Sequence, residues 1–150
     1  MYTFHVTVLA RADSVAVGPT LRLVGRAVQT LTVPQEDLAT PFGLSFEEAE
    51  QRIGLLPRAY IEPDGSFYWG SASGEPDWHI DGNLFDRNGR LAFVDLRGNC
   101  PAAEFDQLLT ALGWPTTPLV FQLVQEAVLL DEPEFRRWAS EGLRQTGDVS

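Results

Sequence analysis

Asp77, His79 and Asp81 alternate along the chain, so on a β-strand all three side chains project to one side. Carboxylate, imidazole and carboxylate together form a donor set for a divalent metal, and Asn83 continues the row. The competing reading is a solvated strand face, because His5 is the only other histidine and no second His/Glu cluster completes the ligands. Cys100 is the single cysteine. It precedes Pro101 at the expected start of a helix, a position that lowers a thiol pKa. A Cys100–His79 dyad oriented by Asp77 or Asp81 would have the parts of a small hydrolase. The plainer reading of Cys100 is a small buried structural residue. The sequence contains no Gly-rich phosphate loop, no G-x-S-x-G and no H-E-x-x-H, and Asp86-Arg87-Asn88-Gly89 lacks the later ligands of a calcium loop.

A second constellation is aromatic. Tyr60, Phe67, Tyr68, Trp69 and Trp78 cluster around the small, polar segment from Gly70 to Pro76. Tyrosine and tryptophan are favoured interface anchors, burying large areas at low entropic cost. Glu62, Asp64, Glu75, Asp77 and Asp81 ring them with negative charge. The expected partner-binding residues are Tyr60, Tyr68, Trp69, Glu75, Asp77, Trp78 and Asp81. Strand parity restricts the set, since Phe67 and Trp69 face one way and Tyr68 the other.

The elements that position these groups are legible from local pattern. Asn88-Gly89 signals a two-residue hairpin turn, because both residues tolerate positive φ. With that loop, Leu84 lies opposite Phe93, Asp86 opposite Leu91 and His79 opposite Gly98. Trp78, Ile80, Leu84, Leu91 and Phe93 then share one face. His79, Asp81, Asn83 and Phe85 share the other with Ala92, Val94 and Leu96. The unbroken apolar run Leu91-Ala92-Phe93-Val94 suggests a central strand covered on both sides. A longer turn from Asp86 to Arg90 would slip the register and exchange the faces.

A helix follows, with Asn99 or Cys100 at its cap and Pro101 in its first turn. Phe105, Leu108, Leu109 and Leu112 fall at i, i+3, i+4 and i+7, Gly113 ends the helix, and Pro115 prevents continuation. Earlier in the chain, Tyr2 to Val8 alternates as a strand, and 11–19 reads as a loop. Leu21 to Val33 reads as a strand with a bulge at Gly25, its β-branched residues outweighing a helical spacing. Ser45 and Glu48 form a capping box for a helix with Phe46, Ala49, Ile53 and Leu56 on one stripe. A further hairpin spans 58–70, turning at Pro63-Asp64-Gly65. Val120, Leu123, Val124, Ala127 and Val128 recur at helical spacing, which favours a helix over 118–130, with a strand as the alternative. A last helix turns Phe135, Trp138 and Ala139 inward, and 145–150 reads as a frayed tail. The pattern is α+β: an antiparallel sheet of hairpins with helices packed on it, in one domain spanning 1–150.

Charge narrows the partners. The formal net charge of the 150 residues is -10, and every basic residue is arginine. Such a chain repels the phosphates of nucleic acid and steers a basic protein partner toward itself. Arginine in place of lysine fits a GC-rich genome, and acidity also fits a salt-adapted host. No apolar run approaches the ~18 residues of a membrane span. Met1 leads into Tyr2-Thr3-Phe4-His5-Val6 without a basic leader, so a cytoplasmic protein without a signal peptide is expected. One cysteine precludes a disulfide framework, and no cofactor is implied.

Residues Asp77 to Gly98, with Asp77-Trp78-His79 followed by Val94-Asp95-Leu96-Arg97-Gly98, resemble bacterial toxin-immunity proteins. The Phe105–Trp114 helix and its Gly-Trp-Pro ending are similar to the first helix of barstar-like inhibitors, although the Tyr-Gly-x-Asn segment of that family is absent after it. The resemblance implies a small acidic α+β protein that binds and blocks a cognate toxin. Three functional readings are compatible with this sequence. The first is an acidic, immunity-type binding module for a basic protein. The second is a small hydrolase using Cys100 and His79, or a metal at Asp77, His79 and Asp81. The third is a structural subunit whose acidity reflects its host.

Overall fold

The computed structural model describes residues 1–149, with side chains through Glu141. Among these, nine strands form one antiparallel sheet and three α-helices pack on it. The strands are β1 (Tyr2–Ala10), β2 (Ala16–Leu23), β3 (Arg26–Thr32), β4 (Tyr60–Ile61), β5 (Ser66–Gly70), β6 (His79–Arg87), β7 (Arg90–Cys100), β8 (Leu119–Leu123) and β9 (Val128–Leu130). The helices are α1 (Phe46–Gly54), α2 (Ala102–Ala111) and α3 (Glu132–Val149). The sheet order is β2-β3-β9-β8-β1-β7-β6-β5-β4.

All three helices contribute to the same core, on one face of this sheet. Ala49 and Ile53 of α1, Phe105, Leu108 and Leu109 of α2, and Phe135 and Ala139 of α3 join Phe4, Val6, Val8, Ile80, Leu84, Val94, Leu96 and Phe121 there. The expected α2 stripe is fully buried, Leu112 included, which stabilises the fold by roughly 1.5–3 kcal/mol per side chain. Both halves of the α1 capping box form: the Glu48 N–H donates to Ser45 Oγ at 3.0 Å, and the Ser45 N–H donates to Glu48 Oε1 at 3.2 Å.

The β6–β7 turn is the expected Asn88-Gly89 pair, with φ of 55° and 81°. Asp86 lies opposite Leu91 as predicted, but the register then slips by one, so Phe85 pairs with Phe93 and Leu84 with Val94 rather than Phe93. Ala92 is the extra residue of a β-bulge. A bulge lets two residues of one strand oppose one of its partner. Here it allows Leu91 and Val94, which strict alternation would send to opposite faces, both to reach the helix-side core. Phe93 goes to the other face and stacks on Phe85 at 4.4 Å. His79 consequently pairs with Asn99, not Gly98.

Other expectations needed correction. The segment 118–130 is the β8–β9 hairpin, not a helix. Leu119, Val120, Phe121 and Leu123 are all buried because β8 lies between β1 and β9 and is covered on both faces. Such a strand loses the polar alternation that identifies strands, while Gln125 and Glu126 sit in the turn before Ala127, where φ is 60°. The loop expected over 11–19 already contains the start of β2. Gly25 is not a bulge but the second residue of the β2–β3 turn, at φ 76°. The cap expected at Asn99 or Cys100 falls inside β7, and Pro101 holds the N-cap position. The tail expected over 145–150 lies where side chains are not described, and Ser150 is outside the described residues.

Candidate functional site

Sheet register assembles a row of side chains on the face opposite the helices. Tyr60 pairs with Tyr68, Tyr68 with Asp81, Asp81 with Arg97, and Arg97 with His5. Directly opposed residues share a face, and strands lie about 4.8 Å apart, so the five side chains cross roughly 20 Å of sheet. One end of this face is closed. There, Val15, Leu38, Phe93 and Leu129 pack on Leu9, Leu31 and Val120, and a Ser14–Asp37 hydrogen bond ties the segments carrying Val15 and Leu38 together. The other end, where the row lies, is open at its outer strands among the described residues: Tyr60 is 64% exposed and Tyr68 47%.

The polar groups of the row are loosely held. His79 Nε2 is 3.6 Å from Asp81 Oδ2, and both side chains are at least half exposed. The imidazole stacks on Tyr68 with centroids 5.8 Å apart and an 18° interplanar angle. The His79 backbone N–H donates to Asn99 Oδ1 at 3.2 Å. Gly98 sets this spacing: at φ 140°, any Cβ there would stand 2.1 Å from the His79 carbonyl oxygen. A hydrogen bond to Glu62, then the charge of that carboxylate, raises the Tyr60 pKa. Asp64 is lowered by hydrogen bonds from the Ser66 side chain and backbone. Arg97 makes no ion pair among the described residues.

The expected partner-binding residues divide. Tyr60, Tyr68, Glu75, Asp77 and Asp81 are on the surface. Trp69 and Trp78 are not, contrary to expectation: they are 1% and 3% exposed and meet edge to face at 5.2 Å within the core. The Trp69 indole N–H is satisfied by the Pro57 carbonyl at 2.7 Å, so this large ring is accommodated inside at no polar cost. The loop between them is closed at its base, where the Ser71 N–H donates to the Trp78 carbonyl and the Trp78 N–H to Ser71 Oγ.

The hydrolase geometry does not form. Cys100 follows Asn99, the residue opposite His79, and therefore projects to the other face. Its side chain is fully buried in the helix-side core. Burial, followed by the charge of Glu104, pushes the thiol up to about 12, the reverse of the activation expected at a helix N-terminus. Asp77 lies in the loop before β6. Among the described residues no three His, Cys, Asp or Glu side chains converge in a group able to hold a metal ion.

Sequence reasoning did not identify Arg97 or His5 as members of the site. Nothing local marks them, since only the β6–β7 and β1–β7 registers bring them beside Asp81. It also missed a groove of about 470 Å³ between α1 and the end of α2, which brings Glu48, Arg52, Thr110 and Trp114 together. That volume falls within the range of small-molecule sites, and its lining contains no cysteine, serine or histidine.

The chain matches no family model, no curated protein and no solved structure. Among the described residues no helix is long and apolar enough to cross a membrane.

Proposed function

We propose that this chain is an acidic protein-binding module, cytoplasmic in location, whose uncovered sheet face docks a basic protein. An immunity-type inhibitor that occludes a toxin is the form of that role we favour. The carrying observation is the row Tyr60–Tyr68–Asp81, two exposed tyrosines beside an exposed carboxylate at the open end of the sheet face. A merely solvated antiparallel face carries polar side chains on alternate positions, and two large aromatic rings side by side are not needed for that. Tyrosine supplies rigid contact area at an interface. Glu62, Glu75, Asp77 and Asp81 supply charge opposite to that of a basic partner, on a chain of net charge -10. Such charge acts chiefly on encounter.

The test is affinity capture from the native host with the wild type and with a Tyr60→Ser/Tyr68→Ser variant, followed by kinetics on the captured protein. A basic protein retained by the wild type and lost by the variant is the expected result. Neutralising Glu75, Asp77 and Asp81 together should then slow its association and flatten the salt dependence. A partner held equally by wild type and both variants would show that this face is not the docking surface.

A further inference from the structure

The groove between α1 and the end of α2 lies on the helix side of the sheet, and its lining combines both signs of charge with an apolar wall. Glu48 and Arg52 stand one turn apart on α1, the spacing at which opposite charges meet on a helix. No ion pair joins them among the described residues. Glu48 Oε1 instead accepts the Ser45 N–H of its own helix cap at 3.2 Å. The second Glu48 oxygen and the Arg52 guanidinium make no hydrogen bond among the described residues. From the α2 side, Thr110 Oγ1 donates its proton to the Asp106 carbonyl at 2.8 Å, so this oxygen offers a ligand only lone pairs. The apolar wall is fixed. Leu44 is buried, and Trp114 packs partly buried against the core with the Arg136 guanidinium over its ring at 5.5 Å. Asp106 and Glu132 each bind that guanidinium at 2.6 Å, which leaves Arg52 as the cation open to a ligand. The two sides of the groove meet at Thr117, whose Oγ1 would stand 3.1 Å from a Cβ at Gly43 and 3.0 Å from one at Gly113.

We infer that this groove binds a free α-amino acid with an apolar side chain. Its carboxylate lies on Arg52, its ammonium on Glu48 and Thr110, and its side chain against Leu44, Trp114 and Pro115. A guanidinium fork matches a carboxylate with two parallel hydrogen bonds, and an ammonium brings three donors to acceptors that have none to give. A simple anion in the same groove would meet the Glu48 charge, and a simple cation would meet Arg52. Like charges so placed oppose binding, so a ligand carrying both signs is the one that neither residue repels. Within a chain the α-amino and α-carboxyl charges are consumed by peptide bonds, which restricts the ligand to the free amino acid. An aromatic or branched aliphatic side chain gains contact area on the indole of Trp114. The inference does not rest on the docking role proposed for the sheet face, since no residue of the Tyr60–Tyr68–Asp81 row lines the groove.

The experiment titrates three probes into the full chain and records backbone amide shifts. L-Phenylalanine carries both charges, 3-phenylpropionate only the carboxylate, and 2-phenylethylamine only the ammonium. Phenylalanine should shift amides of α1 and of residues 110–117, and bind about tenfold more tightly than either analogue, the effect of one charge-assisted contact. Arg52→Gln should reduce its affinity to that of phenylethylamine. Glu48→Gln, which keeps the capping box because glutamine serves there as well, should reduce it to that of phenylpropionate. Absence of phenylalanine shifts at these amides would overturn the site. Phenylpropionate or phenylethylamine binding as tightly as phenylalanine, or phenylalanine binding that ignores both substitutions, would overturn the amino-acid assignment.

Discussion

Tyr68 and Trp69 are adjacent residues of one five-residue strand and face opposite sides of the sheet, 47% and 1% exposed. Trp69 packs edge to face on Trp78 and donates its indole N–H inward, while Tyr68 lies in the open, stacked on His79. A core position and an exposed position are thereby separated by a single step along the chain. Trp69→Ala should cost about 3–5 kcal/mol through the cavity it leaves. Tyr68→Ala should stay within about 1 kcal/mol of wild type, as surface changes generally do. Denaturant midpoints at equal m-value measure both. A Trp69→Ala midpoint matching wild type would contradict the core assignment.

Cys100 should be chemically silent in the folded protein. Its thiol is held near 12 against a usual value of about 9, so the fold keeps a proton that the unfolded chain releases above pH 9. The unfolded state then binds fewer protons, and stability falls as pH rises through that window, at up to ~1.4 kcal/mol per pH unit. Cys100→Ala should lack this contribution. Comparing the two proteins between pH 8 and 10 isolates it, because every other group is common to both. Alkylation at neutral pH should require unfolding; rapid reaction of the native thiol would contradict its burial.

Glu134 should give the opposite pH dependence. Hydrogen bonds from Arg137 chiefly, with the Gln29 backbone N–H donating at 2.7 Å, hold its carboxyl below the usual glutamate range. A depressed folded-state pKa contributes stability above the unfolded value and loses it as pH falls through the folded one. Glu134→Gln should therefore destabilise at pH 7, with the difference from wild type closing in acid below the ordinary glutamate range. Thermal unfolding of both proteins across that range is the measurement, and a difference independent of pH would assign the effect to packing alone.

Much of this architecture is written in short-range pattern. The Ser45–Glu48 capping box, the Asn88-Gly89 turn, the Phe105–Leu112 stripe and the alternation of Tyr2 to Val8 depend on residues no more than a few positions apart, and each forms as its spacing predicts. The opposite facing of Tyr68 and Trp69 was equally legible, because alternation is a property of any strand. The α+β class followed from these elements together. Which of the two rings is buried was not legible, since parity separates the faces without labelling them. That choice depends on where α1, α2 and α3 pack. The helical spacing at 118–130 misled because β8 is buried on both sides, so its apolar residues need not alternate. The Ala92 bulge turned one residue of local pattern into a register change, moving His79 from Gly98 to Asn99 and leaving Cys100 on the far face. Arg97 and His5 joined the site through strand pairing across more than ninety residues of chain, from β1 to β7. Local periodicity carries no information about such a partner, because it is selected by the packing of the whole sheet.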